Sequence, residues 1–173
     1  MTPEALRERA RRVRLLVLDV DGVLTDGRLY LSPGGEELKV FDVRDGSGLV
    51  AARQAGIEIA IISGRSAAAV DRRAQELGIG HVEQGVRDKG TAFDALLEAL
   101  GIEAAASACI GDDTADLPML ERAGLSIAVA DAHPDVRAAV DWVTSHSGGR
   151  GAVREVCDLL LNAREHPDQP ARG

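Results

Sequence analysis

Residues 15–26 read LLVLDVDGVLTD. The unbroken apolar run 15–18 ends on Asp19, a second carboxylate follows at Asp21, and Gly22 comes straight after. A run this apolar and this short, stopped by a glycine, reads as a strand buried on both faces. Unpaired carboxylates are not packing residues, because burying each one costs several kcal/mol. Asp19 and Asp21 therefore belong at the strand's mouth, facing something cationic. Two like charges this close call for a cation, and Mg²⁺ is the usual oxygen-seeking partner. The plainer alternative is a pair of solvated loop acids capping the next element.

Composition bounds what such a mouth can bind. The chain has 173 residues, enough for one domain with a sizeable core. Aromatics make up only 2%, which argues against base stacking as a binding mode. A net charge of −8 points away from nucleic acid as well. A metal and a few placed cations can still reverse the sign locally for an anionic substrate. Cys109 and Cys157 belong to no CxxC or zinc spacing and read as buried free thiols in a reducing compartment. No apolar stretch reaches transmembrane length and the charged N-terminus has no signal-peptide core, so a cytoplasmic protein with no membrane partner is expected. Of the 20 Lys+Arg residues only Lys39 and Lys89 are lysines. Where Arg has taken nearly every surface role, a remaining Lys marks a place for a compact point charge.

Along the chain, a helix is expected over 3–12, then the strand into Asp19. Residues 28–31 and 37–41 alternate about the turn Ser32-Pro33-Gly34-Gly35, a β-hairpin signature spanning 27–41. A hairpin alone is marginal. Its Leu29, Leu31, Leu38, Val40 and Phe41 are therefore expected to pack against something, such as another subunit. Helices are then expected over 45–56, 66–77, 89–100, 114–123, 134–140 and 152–163. Strands are expected over 57–62, 81–83, 107–110, 125–130 and 142–144. The polar, Pro-bearing residues 165–173 read as a disordered tail after a single domain over 1–164. Repeated βα units with continuous apolar strands give an α/β fold. It is a doubly wound, Rossmann-like parallel sheet with a β-hairpin insertion after the first strand and no cap domain. Ligands bind such sheets beyond the strands' carboxyl ends, and Asp19, Ser63 and Asp112 all lie at such ends.

The runs DVDGVLTD, IISGR, Lys89 and GDDTAD, in that order, resemble the four motifs of the haloacid dehalogenase-like phosphohydrolases. The residue chemistry agrees. Asp19 is placed to attack phosphorus and form an aspartyl-phosphate, splitting hydrolysis into two easier steps. Asp21, crowded by like charge, is placed to protonate the leaving alkoxide and then to activate water. Ser63 and Gly64 would hold phosphoryl oxygens, although Ser63 also reads as a plain helix cap. Lys89 would offset charge on those oxygens and on Asp19. The resemblance implies a Mg²⁺ held by Asp19, Asp112 and the backbone carbonyl of Asp21, with Asp113 and Asp116 orienting the site.

The hairpin with GEELKVFDVRDGSG, the later ADAHP and SGGRGAVREVCDLLL narrow the resemblance to the small capless branch of that family. Within it they are similar to phosphatases of an eight-carbon keto sugar acid 8-phosphate used in lipopolysaccharide synthesis. That likeness implies a homotetramer in which hairpins close neighbouring sites. It also implies sugar-acid contacts from Asp42, Val43, Arg44, Asp45, Gly46, Arg65 and Arg73, with Arg150 a further cation and residues 148–151 approaching a neighbour's site. Ser47 and Val50 stand where close members carry a bulky group and a basic residue. A nine-carbon keto sugar acid 9-phosphate is the alternative substrate. In a different class, a phospho-accepting receiver module also joins acids, a Ser/Thr and a Lys on a parallel sheet, but it places its acidic pair first. A structural oligomer with a vestigial site is the remaining alternative, and the intact set Asp19, Asp21, Ser63, Lys89 and Asp112 speaks against it.

Overall fold

The structure, a computed structural model, describes residues 1–35 and 37–165. Helix α1 (Pro3–Arg12) starts at Thr2, whose hydroxyl accepts from the Ala5 amide at 3.2 Å, and leads into strand β1 (Leu15–Leu18). A two-stranded ribbon follows, β2 (Tyr30–Leu31) and β3 (Glu37–Leu38). The chain then alternates α2 (Val43–Gln54), β4 (Glu58–Ile62), α3 (Ala68–Leu77), β5 (His81–Glu83) and α4 (Lys89–Leu100). Strand β6 (Ser107–Gly111), α5 (Leu117–Leu120), β7 (Leu125–Ala128), α6 (Pro134–Ala139), β8 (Trp142–Val143) and α7 (Ala152–Glu165) complete it.

Six strands form one sheet in the order β5-β4-β1-β6-β7-β8, every pair parallel. The four side chains of β1 are all buried, as a central strand covered on both faces requires. Helix α7 packs on both α1 and α2, while α4 packs on α5. Phe93 fills the centre of α4's buried face, and the rest of the core is almost wholly aliphatic. From β1 the chain turns toward β4, and from β6 it turns toward β7. The crevice between β1 and β6 is therefore the switch point of the sheet, where ligands bind.

Several boundaries differ from the sequence reading for local reasons. Helix α2 begins at Val43 rather than 45, because the Asp42 carboxylate caps it by accepting from the Arg44 amide. Hairpin pairing covers two residues per strand, well short of the expected 28–31 and 37–41. The expected helix 114–123 is a 3₁₀ turn, Thr114–Asp116, followed by the short α5 with Pro118 in its first turn. Strand β7 stops at Ala128, and β8 at Val143. Glu165 belongs to α7, and the rest of the expected tail lies outside the described residues.

Candidate active site

The register of β1 aligns Leu18 with Ile61 on one side and with Ile110 on the other. Asp19, Ser63 and Asp112 therefore leave the same rim of the sheet, and the Asp19 amide extends the ladder by donating to Ile110 O at 3.1 Å. Carboxylate oxygens of Asp19, Asp112 and Asp116 lie within 4.8 Å of one another. Lys89, the first residue of α4, is buried. Its Nζ donates to Asp19 Oδ1 at 2.6 Å and to Asp116 Oδ1 at 2.5 Å. The other oxygen of Asp116 accepts from the amides of Asp112 and Asp113, at 2.9 and 3.1 Å. Asp116 is thus a bracket joining the ammonium to the loop after β6, and Asp113 completes a capping box with it.

Three acids and one buried cation leave excess negative charge. Burial and the Asp116 charge push Asp19 up to about 6, although Lys89 pulls it the other way. Burial, Asp19, Asp116 and Asp113 push Asp112 up to about 8. Burial pulls Lys89 down, but the Asp19 and Asp116 charges outweigh it and hold the ammonium above its usual range. Asp112 Oδ1 is buried without a hydrogen-bond partner among the described residues. Gly22, at φ 100°, presents bare backbone to that carboxylate, and a Cβ there would collide with it. An orphaned oxygen, crowded carboxylates and a glycine-lined cradle fit a hard divalent cation.

Asp21 turns toward the hairpin. It forms a close ion pair with Lys39 Nζ, which also donates to Glu37 Oε1 at 2.8 Å. Arg65 closes the square. Its Nη2 donates to Glu37 Oε2 at 2.7 Å and its Nε lies 3.7 Å from Asp21 Oδ2. The Lys39 side chain is only 3% exposed. The like-charge crowding expected at Asp21 is thus relieved by a cation from the hairpin. Lys39 and Glu37 were not among the sequence candidates. The scarcity of lysine was the one signal for Lys39, since its place in an alternating strand otherwise reads as a solvated face.

The other candidates fall into two groups. Ser63 is buried, its Oγ accepting from the Arg65 amide at 3.4 Å, and exposed Gly64 follows at the rim. Arg44 is exposed and forks onto Asp42, Val43 is 76% exposed, and Arg150 is exposed. Arg73 pairs with Glu76 at 3.2 Å, with its guanidinium 6.0 Å from the Phe41 ring centre. Asp45 and Gly46 lie in the first turn of α2. Asp45 is buried, its Oδ1 accepting from the Arg154 amide at 2.8 Å and its Oδ2 from the Gly151 amide at 3.4 Å. Its carboxylate thus caps α7. Gly46 lies directly beneath the Arg73 guanidinium. Of residues 148–151, Gly148 and Gly149 pack on the chain's own 22–25 turn.

A model of haloacid dehalogenase-like hydrolases matches residues 81–156. The 3-deoxy-D-manno-octulosonate 8-phosphate phosphatase KdsC of Escherichia coli K12 is 53% identical over 165 residues, 95% of this chain and 87% of the relative. A crystal structure of the corresponding Moraxella catarrhalis phosphatase, in complex with magnesium ion, phosphate ion and KDO, superposes with a TM-score of 0.93 at 47% identity. That match covers 96% of each chain. The cobalt-bound Haemophilus influenzae phosphatase gives 0.88 at 41% identity, covering 93% of this chain and 96% of that one.

Proposed function

We infer the activity from the premise that this chain belongs to the haloacid dehalogenase-like hydrolases, among the 3-deoxy-D-manno-octulosonate 8-phosphate phosphatases. It is a Mg²⁺-dependent phosphoric monoester hydrolase that releases phosphate and the free keto sugar acid from 3-deoxy-D-manno-octulosonate 8-phosphate, a step serving lipopolysaccharide synthesis. The observation that carries this is the meeting of Asp19, Asp112 and Asp116 around Lys89 at the switch point of the sheet.

A bound Mg²⁺ supplies charge stabilisation to the phosphoryl oxygens. Asp19 and Asp112 hold it through carboxylate oxygens, and Asp21 through its backbone carbonyl. An Asp19 oxygen attacks phosphorus as the bond to the sugar oxygen breaks, and Asp21 delivers a proton to that leaving oxygen. Asp21 then takes a proton from water, which attacks the same phosphorus and restores the Asp19 carboxylate. Lys89 holds Asp19 in line and balances charge building on the phosphoryl oxygens. Ser63, with the amides at Gly64 and beyond, receives those oxygens. Arg65 and Arg73 face the carboxylate and hydroxyls of the sugar acid, with Arg44, Asp42 and Val43 at the outer rim. Asp45 and Gly46, in the first turn of α2, would complete the contacts to the sugar acid, while the Asp45 carboxylate is held by the amides of Gly151 and Arg154.

The hairpin's exposed Leu29, Leu31, Leu38 and Val40 support a homotetramer in which hairpins close neighbouring sites. Among the described residues no helix is long and apolar enough to cross a membrane, and the free, buried Cys109 and Cys157 fit a cytoplasmic enzyme. Phosphate release from the octulosonate 8-phosphate, with Mg²⁺ and with chelator, tests the reading. Asp19→Asn should lower kcat by roughly a thousandfold or more. Comparing kcat/KM for that substrate and a nonulosonate 9-phosphate tests the chain length, and preference for the nine-carbon compound would overturn the assignment.

A further inference from the structure

Behind the turn that carries Asp19 and Asp21 lies a second loop which the chemistry above does not use. Gly148 sits so close to this turn that a Cβ on it would collide with Gly22 O and lie 2.5 Å from Gly22 C. Gly149, at φ 63°, donates from its amide to Val23 O at 2.9 Å, and a Cβ there would lie 2.5 Å from Thr25 C. On the turn's other side Gly22 lies directly against the Asp112 carboxylate. A line of contacts with no intervening side chain thus runs from Gly148 through Gly22 to Asp112.

The loop is fastened on both sides. Asp131 Oδ1 accepts from the Gly148 amide at 2.9 Å, and the Ala130 amide donates to His146 O at 3.1 Å. Buried Asp45 accepts from the amides of Gly151 and Arg154. The fastening also returns to the acids themselves, because the His133 amide donates to Asp112 O at 2.7 Å.

We propose that residues 147–151, held by Asp131 and Asp45, are a positioning element that presses the 19–25 turn against Asp112 and so sets the spacing of the divalent-cation ligands. The inference rests on the phosphatase reading only for which cation is bound. Mg²⁺ tolerates little departure from an octahedron at about 2.0–2.1 Å, so a turn free to recede spreads the ligand oxygens and weakens the site. Gly148, Gly149 and Asp131 act through the turn and touch no reacting atom.

The test is a calorimetric Mg²⁺ titration of the intact protein, alongside steady-state kinetics and thermal melts, for wild type, Gly148→Ala, Asp131→Ala and Asp131→Asn. Gly148→Ala and Asp131→Ala should weaken Mg²⁺ binding by about tenfold to a hundredfold. The kcat should fall with little change in substrate KM. Asp131→Asn should recover most of the loss, because its carboxamide oxygen still accepts from the Gly148 amide. Should Gly148→Ala fail to fold, the Asp131 pair decides. Wild-type Mg²⁺ affinity in Asp131→Ala, or equal loss in Asp131→Asn and Asp131→Ala, overturns the proposal. A wild type that binds Mg²⁺ yet releases no phosphate would count against the phosphatase reading and leave this one standing.

Discussion

Asp19 and Asp112 illustrate how much negative charge one rim can hold. Both carboxyls sit above their ordinary range, near 6 and 8, chiefly because they are buried. A carboxyl whose folded value lies above its unfolded one holds its proton more tightly when folded, and it loses stability as pH rises through the gap. With divalent ions chelated, thermal stability should therefore fall between about pH 5 and pH 8. Asp112→Asn should flatten that slope, and saturating Mg²⁺ should stabilise most at the alkaline end. Melts across this range check the point, and a chelated protein whose stability climbs from pH 5 to 8 would contradict it. These acids could be found in the sequence because each ends an apolar run. The partners of the Asp45 carboxylate had no such signal, because the amides it binds lie 106 and 109 residues away in the chain.

At the scale of elements, the hairpin matters more than its short ladder suggests. Its arms show Leu29, Leu31, Leu38 and Val40 to solvent, while Lys39 and Glu37 turn inward to Asp21 and Arg65. Lys39→Met should unfasten Asp21 from this square, so that its carboxyl is no longer held where it serves the leaving oxygen. On the sugar acid phosphate kcat should fall roughly a hundredfold. On p-nitrophenyl phosphate, whose leaving group needs little protonation, the loss should be much smaller. Equal losses on both substrates would show that Lys39 serves only to hold the fold. Strands β1, β4, β6 and β7 were legible because continuous apolar runs admit few other readings. The inward turn of the hairpin was not, since alternation alone does not say which face meets a buried carboxylate.

Over the whole molecule, the order β5-β4-β1-β6-β7-β8 gathers four distant motifs at one switch point. The same topology leaves the hairpin standing clear of the sheet, with Leu31 65% and Leu38 58% exposed. Burying those side chains on a neighbouring copy is the simplest account of them. Leu31→Glu combined with Leu38→Glu should turn a tetramer into smaller species by sedimentation and lower kcat/KM together with assembly. A monomeric wild type at assay concentration would contradict the assembly. The central claim concerns Asp19, and rapid acid quench with substrate labelled on phosphorus tests it most directly. Tryptic digestion isolates residues 15–28, LLVLDVDGVLTDGR, which contain Asp19, Asp21 and Asp26. The label should be carried by Asp19 and be absent from Asp19→Asn; full turnover with no label on this peptide, or with label on another residue, would contradict the account.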